Sequence, residues 1–349
     1  MPRTDPKAVT QKLSALWRSA DVEALETDGR KLVVISDSHL GNGGRADDLR
    51  HNEWVLVDAL RRYAAEGYTL ILLGDIEEFW QFDLEDIVRR YNDSVYAAIR
   101  AFEDESVHRV FGNHDREWGS LSDPARRVSR QADYAAEAIK LKDARGETRF
   151  LLVHGHQGSI DADKYAWMSR FFIRLFKLIE PAAKRLGVYG HRSATKSQIT
   201  QDFERTMYRW AKANRVILVC GHSHRAIFAS RSYAERLTER IAALRAESAD
   251  APATKGEARA NANVIARLKR HCQIEKKRGR VIVPVEAEGV QPLPCYFNSG
   301  CACYTDGITA LEICDPEIRL VKWDRSEPAT RTVYNTGLME EMIAQVVGG

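Results

Sequence analysis

Residues 110–115 read V-F-G-N-H-D, an apolar run that stops at a glycine and gives way to Asn113, His114 and Asp115. Such residues are common in turns, so a single stretch of this kind reads as a surface loop. The rest of the chain repeats the pattern. Apolar runs at 32–35, 70–73, 107–111, 150–153 and 216–219 have the length and β-branched content of buried strands. Helical patterns at roughly 46–65 and 84–103 separate the first three. Strand alternating with helix predicts an α/β sheet covered on both faces.

Polar clusters follow each run. They are Asp37 and His39 in D-S-H, Asp75 in G-D-I-E-E, Asn113, His114 and Asp115 in G-N-H-D, His154 and His156 in H-G-H, and His222 and His224 in G-H-S-H. Six of the ten histidines therefore stand at the downstream ends of expected strands. Ligands of open α/β sheets bind at those ends. Unpaired buried charge is costly, and metal cations remove the cost. Carboxylate, imidazole and amide oxygen together suit Mn, Fe or Zn, whereas a structural zinc site would want thiolates. Glycines before Asp75, Asn113 and His222 allow sharp backbone turns.

Five motifs in this order, each after a strand, closely resemble the calcineurin-like metallophosphoesterase superfamily, over roughly residues 31–230. The resemblance implies a four-layer α/β/β/α sandwich and a binuclear phosphoesterase. Asp37, His39 and His224 would hold one metal, Asn113, His154 and His222 the other, and Asp75 would bridge them. Manganese is the first expectation for both ions, with iron or zinc as alternatives. A hydroxide shared by the two metals would attack phosphorus, and His114, oriented by Asp115, would protonate the leaving oxygen. His156 would support a ligand or act directly, and Glu77 and Glu78 are expected on a solvated loop. A narrower likeness, through G-D-I-E-E-F-W, an apolar helix after H-G-H, G-H-S-H-R and Y-F-N-S-G, is to the bacterial UDP-2,3-diacylglucosamine hydrolase-like branch. That branch cleaves a pyrophosphate in a lipid A precursor. His114 and His156 stand where it usually carries Arg and Asp.

Around this core the 349 residues read as a single domain, 1–349, with two insertions. At 44% hydrophobic and 29% charged the chain has a globular composition. One insertion, 161–214, contains A-W-M-S-R-F-F-I-R-L-F-K-L-I-E, an apolar helix whose cations Arg170, Arg174 and Lys177 make one narrow stripe. It is expected as a lid over the site, with peripheral membrane contact as a further use. His191, Arg192 and Lys196 follow it and are candidates for a substrate phosphate. The other, 231–280, carries thirteen Lys/Arg against six Asp/Glu and reads as a basic helical hairpin. Formal net charge is +3, so the remainder of the chain is mildly acidic.

After residue 280, closely spaced strand candidates suggest a second, more antiparallel sheet, and a short helix ends the chain. Six cysteines form no C-x-x-C pair, and the N-terminus shows no apolar secretory core, so reduced thiols and a cytoplasmic setting are expected. The expected substrate is a phosphodiester or pyrophosphate of a nucleotide- or lipid-linked molecule. The alternatives are a metal-dependent nuclease that uses the hairpin to hold its polymer, and a non-catalytic scaffold.

Overall fold

The structure, a computed structural model, describes residues 5–119, 135–158, 193–250, 255–277, 286 and 290–349. Two mixed sheets face each other. The first has the order β13-β12-β11-β2-β3-β4 and the second β1-β5-β6-β7-β10-β8-β9. In the first, β2 (Lys31–Ile35), β3 (Thr69–Leu73) and β4 (Val107–Val110) run parallel. Beyond β2 the antiparallel strands β11 (Gly307–Cys314), β12 (Glu317–Asp324) and β13 (Arg331–Leu338) extend the same sheet. The second sheet is centred on β6 (Thr148–Val153), β7 (Ile217–Cys220) and β10 (Tyr296–Ser299), all parallel neighbours. Its edges are β1 (Ala24–Glu26) with β5 (Ala138–Lys142), and β8 (Ala226–Phe228) with β9 (Arg231–Ser232).

This corrects the expectation that the C-terminal strands build the second sheet. Parallel crossovers carry β3 and β4 to one side of β2 and leave its other edge open. Antiparallel β11 fills that edge, and of the C-terminal strands only β10 crosses to the other sheet.

Strand alternation shows why four layers result. Leu32, Val34, Ile71 and Leu73 point into the layer between the sheets, where they join Phe150, Leu152 and Val219. Their neighbours Val33, Ile35, Leu70 and Leu72 pack outward against Val55, Leu56, Leu60 and Tyr63 of the helix Glu53–Ala65. Helices Pro6–Arg18 and Ser193–Asn214 pack together through Val9, Leu13, Phe203, Met207 and Trp210, which share the second sheet's core. Sheets buried on both faces read as near-continuous apolar runs, which is how these strands appear in the sequence.

The apolar helix expected at 166–180 lies outside the described residues, as do His191 and Arg192; Lys196 falls in the helix Ser193–Asn214, whose first residues have no described side chains. No helix among the described residues is long and apolar enough to cross a membrane. The helices Tyr233–Asp250 and Lys255–Lys277 occupy the basic segment. They share a small cluster of Ala234, Leu237 and Cys272, and Tyr233 stacks on Tyr334 of β13 at 4.0 Å between ring centroids.

Glu77 and Glu78 correct a second expectation: neither sits on a solvated loop, and their exposures are 0% and 3%. Glu77 takes a two-pronged hydrogen bond from Arg109 at 2.6 and 3.2 Å, and accepts from Trp118 Nε1 at 2.7 Å and the Tyr96 hydroxyl at 3.0 Å. It anchors the turn after Asp75 to the body of the fold. Removing one partner of such a pair leaves the other charge buried. Glu77→Ala is therefore expected to lower folding stability by about 3–5 kcal/mol in urea titrations. A change below about 1 kcal/mol would show that the pair is idle.

Candidate metal centre

At the carboxyl ends of β2, β3, β6 and β7 the chain enters left-handed backbone. Among the described residues, eight non-glycine positions have positive φ, and five are Asp37, His39, Asp75, His222 and His224, with φ between 47° and 67°. Such backbone costs of order 1–3 kcal/mol per residue and concentrates at functional sites. Two glycines make the crowding possible. A Cβ on Gly112 would lie 2.1 Å from Asp75 Oδ1, and one on Gly221 would lie 2.5 Å from Asp37 Oδ2. Gly74 alone of the three glycines noted in the motifs also needs positive φ, at 81°.

Three groups of side chains have ligand atoms close enough to share an ion: Asp37 with His39 and His224, Asp75 with His154 and His222, and His39 with Asp75 and His114. His39 and Asp75 each belong to two groups, so the three form one continuous site. His224 Nε2 lies 3.2 Å from both Asp37 Oδ1 and His39 Nε2, and His154 Nε2 lies 3.0 Å from Asp75 Oδ2. The strand-end motifs recognised in the sequence thus come together on one edge.

Two imidazoles are already oriented for ligation. His154 Nδ1 is 2.8 Å from the carbonyl of Leu73, and His39 Nδ1 is 3.0 Å from Glu78 Oε2. A ring that donates Nδ1–H in this way presents a lone pair at Nε2, the arrangement typical of metal-binding histidines. Asn113 adds a separate observation: its Oδ1 is buried with no hydrogen-bond partner. A buried amide oxygen left unpaired costs about 1–3 kcal/mol, and a hard or borderline cation would satisfy it. The residues present therefore fit divalent metal ions.

Electrostatics agree. Burial works to raise the Asp75 carboxyl, but His154 and then His114 hold it well below the usual carboxylate range. Burial works to lower His154, yet Asp75 and Asp37 bring it up to about 9. His222 is pushed down to about 3, by burial first and then by the charge of His154. The two carboxylates demand positive charge in a space where histidines repel one another, and divalent cations meet that demand without stacking protons on neighbouring rings.

His114 occupies the outer side of this cluster. Its Nδ1 is 2.7 Å from Glu78 Oε2, and its ring stacks on Trp80 at 3.9 Å and 20°. Asp115 does not orient it, contrary to the expectation from adjacency. Asp115 Oδ1 accepts the Gly112 N–H at 2.6 Å and Oδ2 accepts the Ile76 N–H at 2.8 Å, so this carboxyl laces the two strand-end turns together. Burial first, then Asp75 and Glu77, push the Asp115 carboxyl up to about 7. The orienting carboxylate is Glu78, shared between His39 and His114. Sequence reading missed it, and missed Trp80, although both lie in the quoted motif G-D-I-E-E-F-W. His156 is buried 5.6 Å from the His154 ring, and its Nδ1 has no hydrogen-bond partner.

The model of the calcineurin-like phosphoesterase family matches residues 30–226, more than half of the chain, and the chain belongs to that family. The match spans every strand-end motif and stops before the basic helices. No curated protein matches the chain significantly. Family and cluster together fit a metal-dependent phosphoesterase.

Proposed function

We propose that the protein is a binuclear phosphoesterase that hydrolyses a phosphodiester or pyrophosphate bond in a nucleotide- or lipid-linked molecule. The observation that carries the reading is the shared membership of Asp75: it is the carboxylate common to the His154–His222 group and the His39–His114 group. Asp37, His39 and His224 hold one divalent ion, Asn113, His154 and His222 the other, and Asp75 serves both. Manganese suits the mixed oxygen and nitrogen donors, as do iron and zinc. Bound metals supply an activated water and neutralise charge on the phosphoryl oxygens. The chain's own residues do the rest. Glu78 and Trp80 fix the His114 ring, whose Nδ1 faces Glu78, so Nε2 is the atom that delivers a proton to the leaving oxygen.

The test is a screen of metal-loaded protein against monoesters, bis-p-nitrophenyl phosphate, nucleotide pyrophosphates, acylated sugar nucleotides and single-stranded DNA. Hydrolysis of a diester or pyrophosphate, abolished by chelator and restored by Mn²⁺, is the expected result. Cleavage of DNA alone, falling steeply with salt, would favour the nuclease reading. No turnover of any ester would sink the proposal. Metal loading should also stabilise the fold, since ligands bound only by the native state add RT ln(1 + [L]/Kd), about 2.7 kcal/mol per site at a hundredfold excess over Kd. Chelation that leaves the melting temperature unchanged would argue against resident metals.

A further inference from the structure

β10 lies between β7 and β8, so the residues that join those two strands and carry His222 and His224 cross over its end. Asn298, fully buried, stands in β10 beneath the crossing, in register with Cys220 of β7 and Ile227 of β8. Its amide orientation is fixed by its partners. Oδ1 accepts the Gly300 N–H at 2.9 Å, which turns Nδ2 to the carbonyl of Gly221 at 2.5 Å and to the Ser223 hydroxyl at 3.2 Å. Asn298 has no part in the proposal above, and it lies beyond the residues that the family model matches.

The carbonyl that this amide holds closes an unusual turn. Ser223 N donates to Gly221 O at 2.7 Å, across His222 at φ 67°. A hydrogen bond from residue i+2 back to i over a positive φ marks the rare and strained form of the γ-turn. Such backbone persists only where its surroundings over-determine it. Here Gly221 N donates to the carbonyl of His154 at 2.8 Å, and His222 N donates to the Asp37 carboxylate at 2.9 and 3.1 Å. The Asn298 amide secures the carbonyl between them. The imidazole of His222 has no support of its own to match this. His39 leans on Glu78 and His154 on the carbonyl of Leu73, but among the described residues no hydrogen bond reaches the His222 ring. Its described ring neighbours are His154 and Phe203, with centroids at 5.2 and 5.7 Å. The backbone therefore sets where this ring points.

We propose that Asn298 is a positioning residue for the metal bound by Asn113, His154 and His222, its amide holding the turn at Gly221–Ser223 in the left-handed backbone that aims the His222 ring at the ion. The inference rests on the metal reading given above. The far end of the same loop is held separately, because the Tyr304 hydroxyl donates to the carbonyl of His224 at 2.7 Å. Loss of the amide therefore falls on the ion of His222 more than on that of His224. Outer partners of metal ligands typically contribute 10–100-fold to metal affinity.

The experiment is stepwise loading with Co²⁺, followed by d–d absorption and by metal analysis, on the wild-type protein, Asn298→Ala, Asn298→Asp and, as a control for lost stability, Tyr63→Phe. Aspartate keeps the shape of the side chain and an acceptor for the Gly300 N–H, but has no N–H for Gly221. Tyr63 is buried in the outer layer, where its hydroxyl donates to Glu312 at 2.7 Å and accepts from Trp323 at 2.9 Å. The wild type is expected to take two equivalents, and His222→Ala marks which binding step belongs to this ion. Asn298→Ala and Asn298→Asp should each weaken that step about 10–100-fold and shift its absorption band, and leave the other step within about threefold. Tyr63→Phe should lower the melting temperature of the metal-free protein without moving either step or band. Equal weakening of both steps, or of neither, in the Asn298 variants would overturn the role given to Asn298. If the alanine variant does not accumulate as folded protein, the aspartate variant decides: a weakened step with a shifted band supports the contact, and an unchanged one overturns it. A wild-type protein that binds no metal would remove the metal reading itself, and the inference with it.

Discussion

Asp75→Asn should cost the protein about a thousandfold or more in kcat, equivalent to about 4 kcal/mol of transition-state stabilisation, while its fold survives. The substitution is nearly isosteric, so packing against Gly112 and the His114 N–H can persist through the remaining oxygen. Charge and donor polarity change. In the native site one carboxylate serves two groups of ligands, with Oδ2 at 3.0 Å from His154 Nε2. An asparagine offers one oxygen, and its NH₂ cannot ligate a cation. Metal analysis should therefore show uptake falling below two equivalents, and the thermal stabilisation by Mn²⁺ should shrink in parallel. Circular dichroism of the metal-free variant should match that of the metal-free wild type. A variant with two tightly held ions and more than about a tenth of the activity would show that Asp75 does not bridge.

The strand-end motifs that make this prediction possible were legible in the sequence, and for a physical reason. Each candidate motif follows closely on a largely apolar run, and a buried parallel strand leaves few other places for a polar residue to emerge. The left-handed backbone at Asp37, Asp75 and His222 was only half visible, through the glycines beside the last two. The distribution of strands between sheets was not legible. Antiparallel β11 pairs with β2 across most of the chain, setting Leu311 beside Val34, and hydrophobic pattern alone does not choose between two open sheet edges. The glutamates were misread for a similar reason. E-E after G-D-I looks solvated until Arg109, Trp118 and Tyr96, contributed by other elements, close around Glu77. The pairing of His114 with Asp115 failed because sequence neighbours in a tight turn send their side chains apart. Asp115 turns inward to backbone amides, and the imidazole turns outward to Glu78 and Trp80.

That outward imidazole sets the second large effect. His114→Ala should lower kcat by about 10²–10⁴-fold on esters with an alkoxide leaving group, the range for a positioned general acid. On bis-p-nitrophenyl phosphate the loss should be several-fold at most, because p-nitrophenolate departs without a proton. Metal uptake should stay near two equivalents, since the ligands assigned to each ion do not include His114. The group of His39, Asp75 and His114 makes this a real fork, because those three could themselves hold an ion. If His114 is a ligand, its loss should remove an equivalent of metal and depress both substrates alike. Glu78→Gln separates the two further. The amide can still occupy the place 2.7 Å from His114 Nδ1 and 3.0 Å from His39 Nδ1, but it no longer carries the charge that favours a protonated ring. An acid held by Glu78 should then lose part of the alanine effect, again confined to poor leaving groups. A uniform loss across leaving groups in both variants would move His114 from proton donor to ligand, and would place Glu78 behind two ligands of the same ion.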